Sequence, residues 1–199
     1  MLHSSDLSAS SWVQRFASLI PKNGGPVLDL ACGSGRHTRL LLTLGYQVWA
    51  LDKDASLLAP LAQLGARCFQ VNLEANSGVD NSAPVVNWPF EPNIFSGIVV
   101  TNYLYRPLLP TLSSSLKKGG VLLYETFAAG NEAYGSPRNP DFLLRPGELL
   151  RQFLSDSSIE NGNHCIAYEH GYTASPRPAL VQRICIRSVA SDDISEDKL

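Results

Sequence analysis

Residues 27–38 read VLDLACGSGRHT, and this stretch decides the fold. Val27 to Leu30 are strand-like, a turn of small residues follows, and a helical pattern takes over by Thr38. Gly33 and Gly35 tolerate backbone angles that a Cβ forbids, so backbone N–H groups in such a turn can approach a ligand closely. Asp29 stands just before the turn, where its carboxylate can reach a cationic group in the crevice at the strand's end. An acid before the turn and small residues within it suit a positively charged ligand that lies against the backbone.

Working outward, strands and helices alternate. Apolar spacing predicts a helix over residues 8–20, with Pro21 and Asn23-Gly24-Gly25 ending it. Strands are expected at 27–31, 46–51, 68–71, 94–101 and 121–127. Helices are expected at 38–44, 56–64 and 104–116, the last with Pro107 and Pro110 in its first turns or dividing it. Residues 75–93 read as a loop or insertion, and Lys117-Lys118-Gly119-Gly120 as a turn. Pro146-Gly147-Glu148 opens a helix reaching residue 154, and two further strands, 165–170 and 180–189, form an antiparallel hairpin at the edge. The expected fold is α/β: one doubly wound, Rossmann-like domain with a mostly parallel seven-stranded sheet. It covers residues 1–190, with 1–22 as an N-terminal helical segment, 128–145 as a candidate lid, and 191–199 as an acidic, frayed tail.

At 199 residues, the chain suffices for one domain with a sizeable core. Hydrophobic residues make up 44% and charged residues 17%, a globular composition. A formal net charge of −2 gives no global attraction to nucleic acid or to an anionic membrane. Cys32, Cys68, Cys165 and Cys185 form no C-x-x-C pair and read as reduced thiols of a soluble, cytoplasmic protein, with no metal site expected.

Ligands of such sheets bind at the carboxyl ends of the strands. That rule gathers 29–35, Asp52, 72–74, 101–105 and 127–130 on one rim. At these residues the chain resembles the class I S-adenosylmethionine-dependent methyltransferases. VLDLACGSGR is similar to their first motif, with Ala31 in place of the usual first glycine. The resemblance implies S-adenosylmethionine as cofactor and S-adenosylhomocysteine as product, with contacts from Asp29, Ala31, Cys32, Gly33, Ser34 and Gly35. It also implies that Asp52, ending V-W-A-L-D, binds the ribose hydroxyls. Asn72 and Leu73 stand near the adenine position, where the family usually has an Asp. Trp88-Pro89-Phe90 resembles the segment before the fourth strand, and Thr101 opens the fourth motif beside the reactive methyl. G-R-H-T and P-G-E-L-L resemble the tellurite-resistance-type methyltransferases and their small-molecule relatives.

The expected function is methyl transfer to a small-molecule acceptor. Asn102, Tyr103, Tyr105 and Glu125 are its candidate catalytic residues. Asn102 can instead cap a helix, with the tyrosines half-buried. His37 covers the cofactor or faces solvent. Glu125, mid-strand among apolar residues, is paired with a basic side chain or poised for chemistry. Arg106, Arg138 and Arg145 offer charges for an anionic acceptor or form ordinary surface ion pairs. Two other readings stand beside this one: a cofactor-binding regulatory or partner protein without transfer activity, and an NAD-dependent oxidoreductase. Against the latter, the turn lacks the third glycine of the dinucleotide fingerprint.

Overall fold

In the computed structural model, residues 8–74, 86–154 and 162–188 are described. Short apolar runs separated by glycine-closed helices produce β1 (Val27–Leu30), α2 (Arg36–Thr43), β2 (Val48–Asp52), α3 (Ala55–Gln63) and β3 (Arg67–Gln70), after an N-terminal α1 (Ser11–Phe16). Then come β4 (Phe95–Thr101), α4 (Leu109–Ser115), β5 (Leu116–Phe127), α5 (Glu148–Leu154), β6 (Asn163–Thr173) and β7 (Ala179–Ser188). Among the described residues the strands form one seven-stranded sheet in the order β3-β2-β1-β4-β5-β7-β6. The first five pair in parallel; β7 pairs antiparallel with both β5 and β6. Strand order reverses between β1 and β4, which places the ligand crevice at their carboxyl ends.

One core packs α4 and α5 against one face of the sheet, through residues such as Ile98, Leu112, Tyr124 and Phe153. A second core packs α1 and α2 against the opposite face, through Trp12, Leu41, Val99 and Leu123. Alternate residues of β4 and β5 serve the two cores, as a strand buried on both faces requires.

Several boundaries differ from the sequence reading. The N-terminal helix is split, with a 3-10 turn at Ala17–Leu19 following α1. Lys117 to Gly120 are no independent turn. Leu116 already pairs with Phe95 and Val121 with Gly97, so these residues bulge out of a continuous strand, with Gly119 at φ +77°. Pro107 and Pro110 do divide their helix, into a 3-10 turn at Arg106–Leu108 and α4. Of the expected loop 75–93, residues 86–93 carry no helix or strand, and Phe90 packs its ring on Phe69 at 4.9 Å. Residues 75–85, the acidic tail 191–199 and residues 1–7 lie outside the described residues.

Candidate active site

The chain turns immediately after β1. Ala31 takes φ +51°, Gly33 +54° and Gly35 +78°, so the turn forms with an alanine in its first left-handed position. Gly35 is required by packing, because a Cβ there would lie 2.2 Å from Leu61 Cδ2. A Cβ at Gly33 would meet nothing within 4 Å, so its backbone borders open space. The Gly33 N–H donates to Asp52 Oδ2 at 2.8 Å, and the Asp54 N–H to Oδ1 at 3.0 Å. Two backbone donors thus orient the carboxylate at the end of β2, and each oxygen keeps accepting capacity. Ser34 is exposed at the turn's apex, while Cys32 is buried below it and its thiol pKa is pushed up by burial.

Asp29 is placed differently from the expected position in the crevice. It is 1% exposed and accepts from Thr38 Oγ1 at 2.6 Å, tying β1 to α2 beneath the turn. Burial raises its pKa to about 6. His37 likewise faces neither solvent nor the cleft. At 1% exposure it bridges the Ser10 N–H, 3.1 Å from Nε2, and Thr101 Oγ1, 3.3 Å from Nδ1. A backbone N–H can only donate, so Nε2 accepts and the proton of the neutral ring sits on Nδ1. Burial lowers the His37 pKa to about 3.

The crevice holds a cavity of about 460 Å³, within the range of small-molecule sites. Ala31, Asp52, Asn72, Leu73, Asn102 and Tyr103 line it together. Asp29, Cys32, Gly33, Ser34, Gly35, Thr101 and Tyr105 do not form its walls. Asn72 Oδ1 accepts the Glu74 N–H at 3.1 Å, an Asx turn that leaves its second lone pair available. The Tyr103 hydroxyl donates to Glu74 Oε1 at 3.0 Å, and burial with the Glu74 charge pushes its pKa up. Tyr103 is therefore a neutral donor and no base. Tyr105 is half-buried against the main core, before the 3-10 turn. Asp52 and Glu74 supply negative charge among the apolar walls of Leu51, Val71 and Leu104. With Lys53 as the one basic residue among these walls, the two carboxylates leave the cleft a negative excess that suits a ligand carrying positive charge.

Asn102 caps no helix; the 3-10 turn begins four residues later. It sits at φ +55°, exposed, its N–H donated to the Glu125 carbonyl at 2.9 Å. Asn102 and Phe127 border both this cleft and a second, smaller cavity of about 60 Å³. Arg36, Arg177, Arg183 and Glu125 line the smaller one. Glu125 is the paired carboxylate of the two expected alternatives: its ion pair with Arg183 spans 2.5 Å. Arg183 also pairs with Glu169 at 3.1 Å. All three stand opposite one another on β5, β7 and β6.

The sequence reading missed these hairpin arginines. An isolated arginine within an apolar strand, Arg183, was the available counterpart to the isolated Glu125. Of the two readings of Arg106, the structure shows the ion pair: its guanidinium is committed to Glu148 and to two backbone carbonyls. Arg138 and Arg145 border a separate surface hollow with Glu132 and Asp141.

Among the described residues no group of three or more His, Cys, Asp and Glu side chains gathers to hold a metal, and no helix is long and apolar enough to cross a membrane. Sheet order and crevice together define the fold: that of the class I S-adenosylmethionine-dependent methyltransferases. Residues 11–149 match the family described as tellurite resistance protein TehB, and the chain belongs to that family.

TehB from Haemophilus influenzae has a similar fold, with a TM-score of 0.67 at 18% identity. That match covers 90% of this chain and 62% of that one. An S-adenosylmethionine-dependent methyltransferase from Mesorhizobium loti matches with a TM-score of 0.63 at 17% identity, over 91% of this chain and 99% of that one. In sequence, the chain is 36% identical over 101 residues to protein-L-isoaspartate O-methyltransferase from Chlorobaculum tepidum. The matched region is 50% of this chain and 43% of the relative, so it spans less than half of that protein.

Proposed function

We propose that the chain transfers the methyl group of S-adenosylmethionine to a small, anionic acceptor held in the second cavity, in a cytoplasmic setting. One observation carries this reading: three arginines and one carboxylate line a cavity of about 60 Å³ that meets the cofactor cleft at Asn102 and Phe127. Its size favours a compact acceptor over a peptide. The excess of guanidinium groups favours negative charge. When bound, the cofactor supplies a methyl group made electrophilic by its sulfonium. The chain's own residues then need only align an already nucleophilic anion and exclude water. An anionic acceptor requires no general base, which accords with a neutral Tyr103 and a Glu125 committed to Arg183.

The test is release of S-adenosylhomocysteine on incubation with S-adenosylmethionine and tellurite, selenite, small carboxylates, neutral thiols or an isoaspartyl peptide. Tellurite stands first because of the family's name. Turnover with one or more of the anions is expected. Turnover confined to the peptide or to neutral compounds overturns the acceptor assignment. Cofactor binding with silence across the panel favours a binding protein without transfer activity. Tight NADH binding without S-adenosylmethionine binding, seen by calorimetry, refutes the whole reading.

A further inference from the structure

Arg106 follows the T-N-Y-L-Y run of the fourth strand's end, and Glu148 belongs to P-G-E-L-L; neither enters the chemistry above. Both act on the segment between β5 and α5. Arg106 Nε and Nη2 donate to Glu148 Oε1 and Oε2 at 2.7 and 3.1 Å. Its Nη1 donates to the Asp141 carbonyl at 2.7 Å, and Nη2 also donates to the Leu143 carbonyl at 2.8 Å. The carbonyls on either side of Phe142 are thus held by one guanidinium. Glu148 Oε2 accepts the Arg145 N–H as well, at 2.6 Å, which fixes the far end of the same stretch.

Phe142 itself is half exposed, yet it lines the cofactor cleft. The other cleft-lining residue of this segment, Pro137, is held in the same manner. Asn131, 1% exposed, donates from Nδ2 to the Pro137 carbonyl at 3.2 Å, and its Oδ1 accepts the Leu180 N–H at 3.1 Å. Each of the two residues therefore has its own polar anchor on the fixed body of the protein.

We infer that Arg106, with Glu148, is a positioning residue of the cofactor site: it holds Phe142 as a roof over the bound cofactor, while Asn131 does the same for Pro137. The inference rests on the methyltransferase reading of the cleft. The half-exposed ring is a surface that a bound adenosyl group covers, and its place is set by four hydrogen bonds from a planar fork. Lysine carries the same charge but cannot make that set of bonds.

The experiment measures S-adenosylhomocysteine binding by calorimetry and its dissociation rate by stopped flow. Phe142→Ala, at a half-exposed position, leaves the fold intact and weakens binding about tenfold, mainly through faster dissociation. Arg106→Lys weakens it to a similar extent. The decisive arm is the double variant: with Phe142 already removed, Arg106→Lys costs no further affinity, because its effect passes through that ring.

A loss that is additive in the double variant, beyond any change in unfolding midpoint, overturns the inference. So does wild-type affinity in Phe142→Ala, and that variant decides alone if Arg106→Lys does not fold. A wild-type chain that binds no S-adenosylhomocysteine removes the methyltransferase reading and the roof together. Wild-type binding with unaffected variants removes the roof only.

Discussion

An alanine at φ +51° stores strain that a glycine would not, and Ala31 is that residue here. Left-handed backbone costs an L-residue about 1–2 kcal/mol, while glycine loses about 0.4–1 kcal/mol more on folding than alanine. Ala31→Gly should therefore stabilise the chain slightly, by about 0.5 kcal/mol in denaturant unfolding. A measured destabilisation would sink the strain account. Asp29 and His37 set a pH dependence of opposite signs. Burial raises the Asp29 pKa from 3.8 to about 6, so its contribution is complete below pH 3.8 and lost as pH rises through about 6. Burial lowers the His37 pKa from 6.5 to about 3, so its contribution is present above pH 6.5 and lost as pH falls through about 3. The two slopes oppose each other where their windows overlap. Asp29→Asn removes one of them: between pH 4 and 6, its stability relative to wild type should rise by about one kcal/mol per pH unit. A pH-independent difference in urea titrations would show that Asp29 carries no such load.

Elements were legible where local pattern sets them. The seven expected strands all form, and the central ones, β1, β2 and β4, are short apolar runs whose composition alone marks them. The turn after β1 was legible for the same reason, and its two glycines have separable duties. Gly35→Ala should cost about 3 kcal/mol, combining left-handed strain with a forced shift of the buried Leu61, in thermal or denaturant unfolding. A near-neutral result would mean that α3 yields to the added methyl. Less legible were features that depend on distant partners. Lys117–Gly120 looks like a turn from composition, but pairing of Leu116 with Phe95 keeps it inside a strand. His37 looks like a helix-surface residue until Ser10 and Thr101 close over it. Arg106 reads as an available charge because nothing local reveals Glu148, 42 positions away, as its partner.

At the scale of the molecule, the two cavities take their walls from different parts of the chain. The cleft is walled by residues between Ala31 and Phe142, all before α5. The smaller cavity takes Arg177 and Arg183 from the last hairpin, with Arg36 and Glu125 from the earlier part. The cofactor half could thus be read from motifs that lie close together in sequence. The smaller cavity depends on a hairpin register that places Arg183 opposite Glu125, which no local pattern announces. The pairing order of that hairpin also bears on how the molecule is made. It is β7, not β6, that joins β5. During synthesis, the N–H and C=O groups along the outer edge of β5 thus stay unpaired until the hairpin has emerged and folded back. An unpaired strand edge invites association with other chains. The nascent protein consequently passes through a stage in which the walls of its cofactor cleft are already synthesised while its sheet remains open to aggregation, and the last strand to arrive is the one that ends that exposure.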